Sequence, residues 1–398
     1  MDASSKKKIL VIHPQLKKIG GAEQFALRLI DLLIAECNVH VTILTLEYVE
    51  LSHLSMNGIF NFSADSISIQ IAYCPRWLAN QTDRFHLLRI GYLHRAAKKH
   101  APNYDLCIST YNEIDFGRKG FQYIHHPNFA PRKFLHSFEI TSTKNIFDSI
   151  PLFETLYRRI ILLISRNTLD GIRMNTTCVV SLFMHDIIRE LYQINARVVY
   201  PSFLTIKENQ GGEVWDRRRF QFLSVGRIAP DKNFIELLEL YKSLSIKFPE
   251  ANFFIVGRNT NNDYFNLLKQ KAKELNLQVN ILTDINHDDL NGLLKNSKFY
   301  IGPKHFEHYG NTTFEAAWAG CLTLVHDSGG QTEIITPSIL RYKSVQDLVQ
   351  RVSELIADES LRKNILDQVH NHLKELTPEQ FNQKILAVIG PLIRDDLK

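Results

Sequence analysis

Short apolar runs alternate with longer amphipathic stretches along the whole chain. Residues 8–13 (KILVIH), 40–46 (HVTILTL), 66–73 (SISIQIAY), 106–110, 122–125, 178–181 and 197–200 read as strands. A helix is predicted from Gly21 onward, where Phe25, Ala26, Leu29, Leu32 and Leu33 share one face. The second half repeats the pattern: strands are predicted at 220–225, 253–256, 279–282, 299–301 and 322–326, with helices at 234–245, 264–275 and 288–294. Alternating strands and helices imply parallel sheets covered by helices, and two such series imply two doubly wound domains. The polar, Gly-containing stretch KENQGGEVWDRRR reads as the linker and places the boundary between 201 and 219. Residues 139–166 are taken as mostly helical.

Length and composition narrow the class. A chain of 398 residues with 44% hydrophobic and 22% charged residues suits a globular protein of two domains. Its five cysteines, Cys37, Cys74, Cys107, Cys178 and Cys321, are scattered and never form C-x-x-C. That argues against a disulfide framework or zinc site and for a reducing, cytoplasmic setting. No H-E-x-x-H occurs among the 16 histidines, so no metal is expected. The opening MDASSKKK runs straight into a strand, so no leader is expected, and no apolar run approaches the roughly twenty residues that span a bilayer. The net charge of +5 allows attraction to anionic lipid or phosphate. Basic residues in 84–100 and 157–166 fit either an interfacial helix or a surface helix packed on its own domain. Aromatics do not interleave with them, so nucleic acid is set aside.

The candidate chemistry concentrates near residue 310. The strand KFYIGP leads into a loop carrying Glu307, and Gly310 precedes a helix predicted at 312–319 that contains Glu315 and ends at Gly320. A helix N-terminus there would aim N–H groups at a phosphate, while Glu307 accepts from sugar hydroxyls and Glu315 from a ribose. Thr312-x-x-Glu315 is also a capping-box pattern, in which Glu315 caps its own helix. Gly226, Arg227 and Lys232 follow the strand FQFLSV, and two fixed cations there can neutralise a diphosphate leaving group. Gly20-Gly21 opens the first helix and is either a phosphate- or sugar-facing turn or a plain turn; it is not G-x-G-x-x-G. His125, in Tyr123-Ile124-His125-His126-Pro127, suits work on a hydroxyl. Ser328-Gly329-Gly330-Gln331-Thr332-Glu333 is either another substrate-facing loop or a simple turn.

Together, GGAE, HHP, VVYP, the Gly226-Arg227-x4-Lys232 loop and Glu307-x7-Glu315 resemble the retaining family 4 glycosyltransferases of GT-B fold, over nearly the whole chain. FEHYGNTTFEAAWAG and IHHP are similar to ALG-type mannosyltransferases that extend lipid-linked oligosaccharides. The resemblance implies two Rossmann-like domains facing across a cleft: an acceptor-side domain at 1–203, a donor-binding domain at 204–372, and a C-terminal helix at 373–398 packing back on the first. It implies a nucleotide diphosphate sugar donor, GDP-mannose first, and a polyprenyl-linked or other glycan acceptor at a cytoplasmic membrane face. It implies metal-independent, front-face transfer with no cofactor. Arg227 and Lys232 would bind the diphosphate, Glu307 the sugar, and Glu315 the ribose. Tyr309, Gly310, Asn311 and Thr312 would face sugar and phosphate, His125 the donor sugar, and Gly20-Gly21 the diphosphate and acceptor. Two departures, Lys304-His305 and Asn311-Thr312-Thr313, bear on which sugar is used. Rival readings are a transferase using a UDP- or ADP-sugar with a soluble acceptor, a non-catalytic nucleotide-sugar binder, and a same-fold epimerase.

Overall fold

The computed structural model describes residues 6–17, 19–54, 60, 62, 65–79, 85–131, 134–135, 151–202 and 213–394. Two compact units emerge, one drawn from 1–134, 144–203 and 378–398, the other from 135–143 and 204–377.

The first unit holds β1 (Lys7–Ile12), β2 (Val39–Thr45), β3 (Ile67–Ile71), β4 (Leu106–Ser109), β5 (Phe121–Ile124), β6 (Thr176–Val179) and β7 (Arg197–Val198). They pair in parallel in the order β3-β2-β1-β4-β5-β6-β7. The second holds β8 (Arg219–Val225), β9 (Asn252–Gly257), β10 (Asn280–Thr283), β11 (Ser297–Gly302), β12 (Leu322–His326) and β13 (Arg341–Tyr342), in the order β10-β9-β8-β11-β12-β13. Counted from its own first strand this is the 3-2-1-4-5-6 order of a dinucleotide-binding sheet. The two-residue β13 carries no legible sequence signal. Both sheets reverse direction of winding beside their first strand: β1 lies between β2 and β4, and β8 between β9 and β11. There the connections diverge and open a crevice at the carboxyl ends, the usual ligand position in such sheets.

Burial explains the strand composition. In β1, Ile9, Leu10, Val11 and Ile12 are all buried, as expected where helices cover both faces. In the second unit Phe222 stacks on Phe253 at 5.4 Å and on Phe299 at 4.9 Å, tying β8, β9 and β11 across one face. The expected helices form as Gly21–Cys37, Phe234–Lys247, Asn262–Glu274 and His287–Asn296.

One expectation changes. Of the linker, residues 203–212 lie outside the described residues; beyond them Asp216 and Arg217 are exposed, but two side chains are drawn into the second unit. Trp215 is buried, donates Nε1–H to the Lys298 carbonyl at 2.9 Å, and meets Phe299 edge-on. Arg218 is buried too, and donates to the carbonyls of Leu294 and Ser297 at 3.1 Å each and to that of Ala319. A large aromatic ring and a five-donor guanidinium each found a place in the second unit, which polar composition could not disclose. Of the segment 139–166, residues up to 150 lie outside the described residues, and Pro151–Ser165 is helical. The C-terminal helix Pro378–Arg394 belongs to the first unit, where Phe381 meets Phe25 at 5.7 Å. No helix among the described residues is long and apolar enough to cross a membrane.

Gly257 ends β9 against the backbone of Gly226, whose carbonyl would be overlapped by any Cβ added at 257. Backbone cannot yield as a side chain end can. Gly257→Ala is expected to cost about 1–3 kcal/mol by overpacking and to shift the Gly226–Arg227 turn. Denaturant unfolding checks it; an unchanged midpoint would refute this packing.

Candidate active site

In the second unit, the sequence after β8 runs through Gly226 and Arg227 into a 3₁₀ turn, Pro230–Lys232. Asn233 then adopts φ 54° and starts the helix Phe234–Lys247. After β11 the chain turns through Lys304, Phe306 and Glu307 before the helix Asn311–Trp318. These two exits flank the switch point, and their charges meet. Lys232 Nζ lies 2.7 Å from Glu307 Oε2, and Lys304 Nζ lies 3.2 Å from Oε1. The His308 amide also donates to Oε1 at 3.2 Å. The Glu307 side chain is only 15% exposed. Burial alone would raise its carboxyl, but Lys232 and Lys304 outweigh that and hold it well below the usual carboxylate range. Lys304 is itself pulled down by burial, with Glu307 opposing. Arg227 is 59% exposed and pairs with Asp231 at 3.1 Å rather than with Glu307.

The loop around Glu307 is strained and gripped. Phe306 has φ 50°, a left-handed value a bulky residue rarely adopts. Its N–H donates to Ser328 Oγ at 2.9 Å, and Ser328 Oγ in turn meets His326 Nδ1 at 2.7 Å. The Gly330 N–H donates to the Glu307 carbonyl at 2.7 Å. Gly329, at φ 71°, lies so close that a Cβ would come within 2.5 Å of that carbonyl. Buried Gln331 donates Nε2–H to the Lys304 carbonyl at 2.8 Å. Ser328–Gln331, read from sequence as either substrate-facing or a plain turn, is therefore the clamp that sets the Glu307 loop. His305 stacks on His326 at 3.6 Å and meets Glu236 at 3.0 Å. The Lys304-His305 pair is thus built into this loop, a role its sequence position did not signal.

Glu315 requires correction. The N-cap is Gly310, at φ 113°, and no side chain caps the helix. Thr312 is inside the helix, with its hydroxyl accepting from Tyr300 at 3.0 Å. Glu315 is the fifth helical residue, so the capping box does not form and Glu315 is not in the first turn. At the other end the helix closes as expected: Gly320, at φ 86°, donates to the Ala317 carbonyl at 2.9 Å, and Cys321 to that of Ala316 at 3.0 Å. The N–H groups of Asn311 and Thr312 have no intrahelical acceptor and remain available to an anion. The Tyr309 side chain is buried. Desolvation pushes the part-buried Glu315 carboxyl up to about 7.

The first unit gathers its own cluster at the carboxyl ends of β1, β4 and β5. Gly20 is the N-cap of Gly21–Cys37, and Glu23 accepts its N–H at 2.9 Å. Buried His13 donates Nδ1–H to Thr110 Oγ1 at 2.9 Å, because that hydroxyl gives its proton to the Ile12 carbonyl. Nε2 then faces Glu23 Oε1 at 3.6 Å. Burial would raise Glu23, but His13 outweighs it and lowers the carboxyl. His125 sits edge-on to Tyr123 at 4.9 Å and Phe25 at 5.1 Å. Burial, helped by His13, takes it down to about 4, so it is a neutral ring near pH 7. Its loop is held from below: Asn112 Oδ1 accepts the N–H groups of His125 and His126 at 2.8 and 2.9 Å. Buried Glu113 accepts from Asn128, Phe129 and Tyr192, at 3.1, 2.7 and 2.6 Å. Sequence reasoning missed His13, Thr110, Asn112 and Glu113. The only available signal was polar residues directly after apolar strands.

Residues 205–371 match the family model described as glycosyl transferases group 1. An uncharacterized glycosyltransferase, YqgM of Bacillus subtilis, is 25% identical over 171 residues, 42% of this chain and 47% of that protein. A GDP-Man:Man(3)GlcNAc(2)-PP-Dol alpha-1,2-mannosyltransferase of Caenorhabditis elegans is 28% identical over 147 residues, 33% of this chain and 31% of that protein. The alignments thus span less than half the length of these relatives. The structure of Anabaena HepE in complex with UDP and glucose superposes with a TM-score of 0.66 at 15% identity, over 96% of this chain and 99% of that one. The shared architecture, two Rossmann-like units, is GT-B.

Glu315 links stability to pH. Its folded value of about 7 lies above its ordinary 4.5, so the folded state keeps the proton longer. Stability therefore falls as pH rises from about 4.5 through about 7. Glu315→Gln removes that loss. Allowing for partial exposure, the variant is expected to be more stable than wild type at pH 8 by about 1–3 kcal/mol, with the difference shrinking toward pH 5. Urea unfolding at both pH values checks it; a pH-independent difference would refute it.

Proposed function

We propose that this chain, a family 4-like glycosyltransferase by its group 1 domain and GT-B fold, moves a hexose from a nucleotide diphosphate sugar to a hydroxyl of a glycan acceptor. The observation that carries this reading is the Glu307 carboxylate, held ionised at the switch point of the second sheet beside the free N–H groups of Asn311–Trp318. Sugar hydroxyls would donate to Glu307. The ribose would donate to Glu315. Arg227, Lys232 and the amides at Asn311 and Thr312 would meet the diphosphate. In the first unit, neutral His125 would bind a sugar hydroxyl, and the Gly20–Gly21 turn would approach a phosphate or sugar ring.

The reaction is read as retaining. The bond from the anomeric carbon to the phosphate oxygen breaks, and its electron pair stays on that oxygen. The same oxygen takes the acceptor hydroxyl's proton, and the acceptor oxygen bonds to the anomeric carbon on the same face. Protein cations supply the leaving-group stabilisation, so the reaction is read as metal-independent.

Mannose from GDP-mannose is the first donor, supported by the similarity to the Caenorhabditis elegans GDP-Man-dependent mannosyltransferase. A UDP-sugar is the second, supported by the UDP and glucose complex of the Anabaena neighbour. A lipid-linked acceptor at a membrane surface is supported by the helix Pro151–Ser165. Its Ile161 is buried against Leu78 and Leu88, whereas Leu156, Ile160 and Leu163, at i, i+4 and i+7, are exposed beside exposed Arg159. The alternative region, His86–His100, buries Leu88, Arg89, Ile90, Leu93 and His94, so it is a packed helix.

Thermal-shift measurements with GDP, UDP and ADP identify the base, since only a bound nucleotide raises the midpoint by mass action. With that donor, in EDTA, Lys232→Ala is expected to lower transfer by about 10²–10³-fold. Unaltered turnover would sink the donor-site reading. Wild type is expected to float with anionic vesicles and Leu163→Asp to float poorly, because burying a leucine is worth about 1.5–3 kcal/mol. Equal flotation of the two would remove the membrane face.

A further inference from the structure

Two lysines hold Glu307 where one is required. Each carboxylate oxygen has its own ammonium: Oε2 has Lys232 at 2.7 Å, and Oε1 has Lys304 at 3.2 Å. The lysines arrive from different elements, Lys232 from the turn after β8 and Lys304 from the loop after β11. Their freedom differs as well. The Lys304 backbone is fixed at its carbonyl by buried Gln331, and three residues on, the Glu307 carbonyl is fixed by Gly330. Lys304 and Glu307 are therefore anchored to the same clamp. Lys232 sits on a separate turn beside Arg227, where the diphosphate would lie.

Donor binding makes competing demands on these groups. The diphosphate draws Lys232 away from Oε2, and the sugar hydroxyls need Glu307 as an acceptor. A buried carboxylate that lost its only cation would take up a proton and stop accepting. We propose that Lys304 is a positioning residue for the donor sugar: it keeps Glu307 Oε1 while Lys232 exchanges Oε2 for the diphosphate, leaving Oε2 aimed at the sugar hydroxyls. This rests on the donor-site reading above and adds to it a division of labour between the lysines. The groups facing this cluster fit that division. His308 donates its amide to Oε1, the Tyr300 phenol lies nearby on β11, and Asp231 draws Arg227 and faces Lys304 from the turn after β8. The His308 ring also lowers the Glu307 carboxyl by its charge, but its bond to Oε1 is through the backbone amide, so Lys304 is the ammonium on that oxygen.

The prediction separates sugar from phosphate. Lys304→Met keeps an unbranched side chain one atom shorter and removes the charge. Binding of GDP-mannose and of GDP is measured by calorimetry, with UDP-glucose and UDP as a second pair. Affinity for the nucleotide sugar is expected to fall about tenfold or more, with the nucleoside diphosphate held to within about twofold. The acid limb of the kcat/KM profile for the donor is expected to move up by about one pH unit, and Lys304→Arg to restore both. Equal loss for sugar nucleotide and diphosphate, or no loss for either, overturns the proposal while leaving the donor site standing. Wild type that binds neither pair overturns the donor-site reading itself. Should Lys304→Met lower the melting temperature, Lys304→Gln supplies the same comparison.

Discussion

A carboxylate that must stay charged while withdrawn from water is the constraint on which the second unit's site depends. Desolvation works against ionised Glu307, and only close cations reverse it; Lys232 and Lys304, one on each oxygen, do so. That solution demands geometry more than composition. Two ammonium groups must converge within hydrogen-bond distance from separate loops, so both loops must be fixed. The left-handed Phe306, the close approach of Gly329 and the bonds from Ser328, Gly330 and Gln331 are the fixings. Strain at Phe306 persists because its surroundings over-determine it.

The first unit buries a carboxylate by the opposite route. Glu113 is ringed by neutral donors, two backbone N–H groups and the Tyr192 hydroxyl, and burial leaves its carboxyl raised despite them. Neutral hydrogen bonds contribute about 0.5–1.5 kcal/mol each, less than charged ones. Such a group holds a loop in place whichever protonation state it adopts. Glu307 is held ionised instead, and it is cations that do this. Glu315 lies between these cases: burial raises it without a compensating cation, so its charge costs stability. Sites that bind well when filled are commonly strained when empty.

The two sheets share a device. Each brings its chemistry to the carboxyl edge beside its first strand, where helices leave in opposite directions. The second sheet uses it for a charged cluster built from loops after β8 and β11. The first uses it for His13, Glu23, Thr110 and His125, drawn from the ends of β1, β4 and β5 and the helix between. Neither cluster is contiguous in sequence: 97 positions separate His13 from Thr110, and 75 separate Lys232 from Glu307.

By itself the sequence determined the alternation of strands and helices, because the period of apolar positions is a local property. It determined the loops that carry Arg227, Lys232 and Glu307 in the same way, since each follows an apolar run, and the helix that carries Glu315. It also determined the end of the helix at Gly320, where a left-handed residue is required. The capping-box alternative for Thr312 and Glu315 failed because Gly310 caps the helix two residues earlier, with Gln331 of the Ser328–Gln331 clamp packed behind it. Only the tertiary structure decided that Lys304 shares Glu307 with Lys232, that Trp215 and Arg218 belong to a core rather than a linker, and that Gly257 underlies Gly226. Each of these depends on distances between segments far apart in the chain, and the strength of charge pairing and packing is set by those distances.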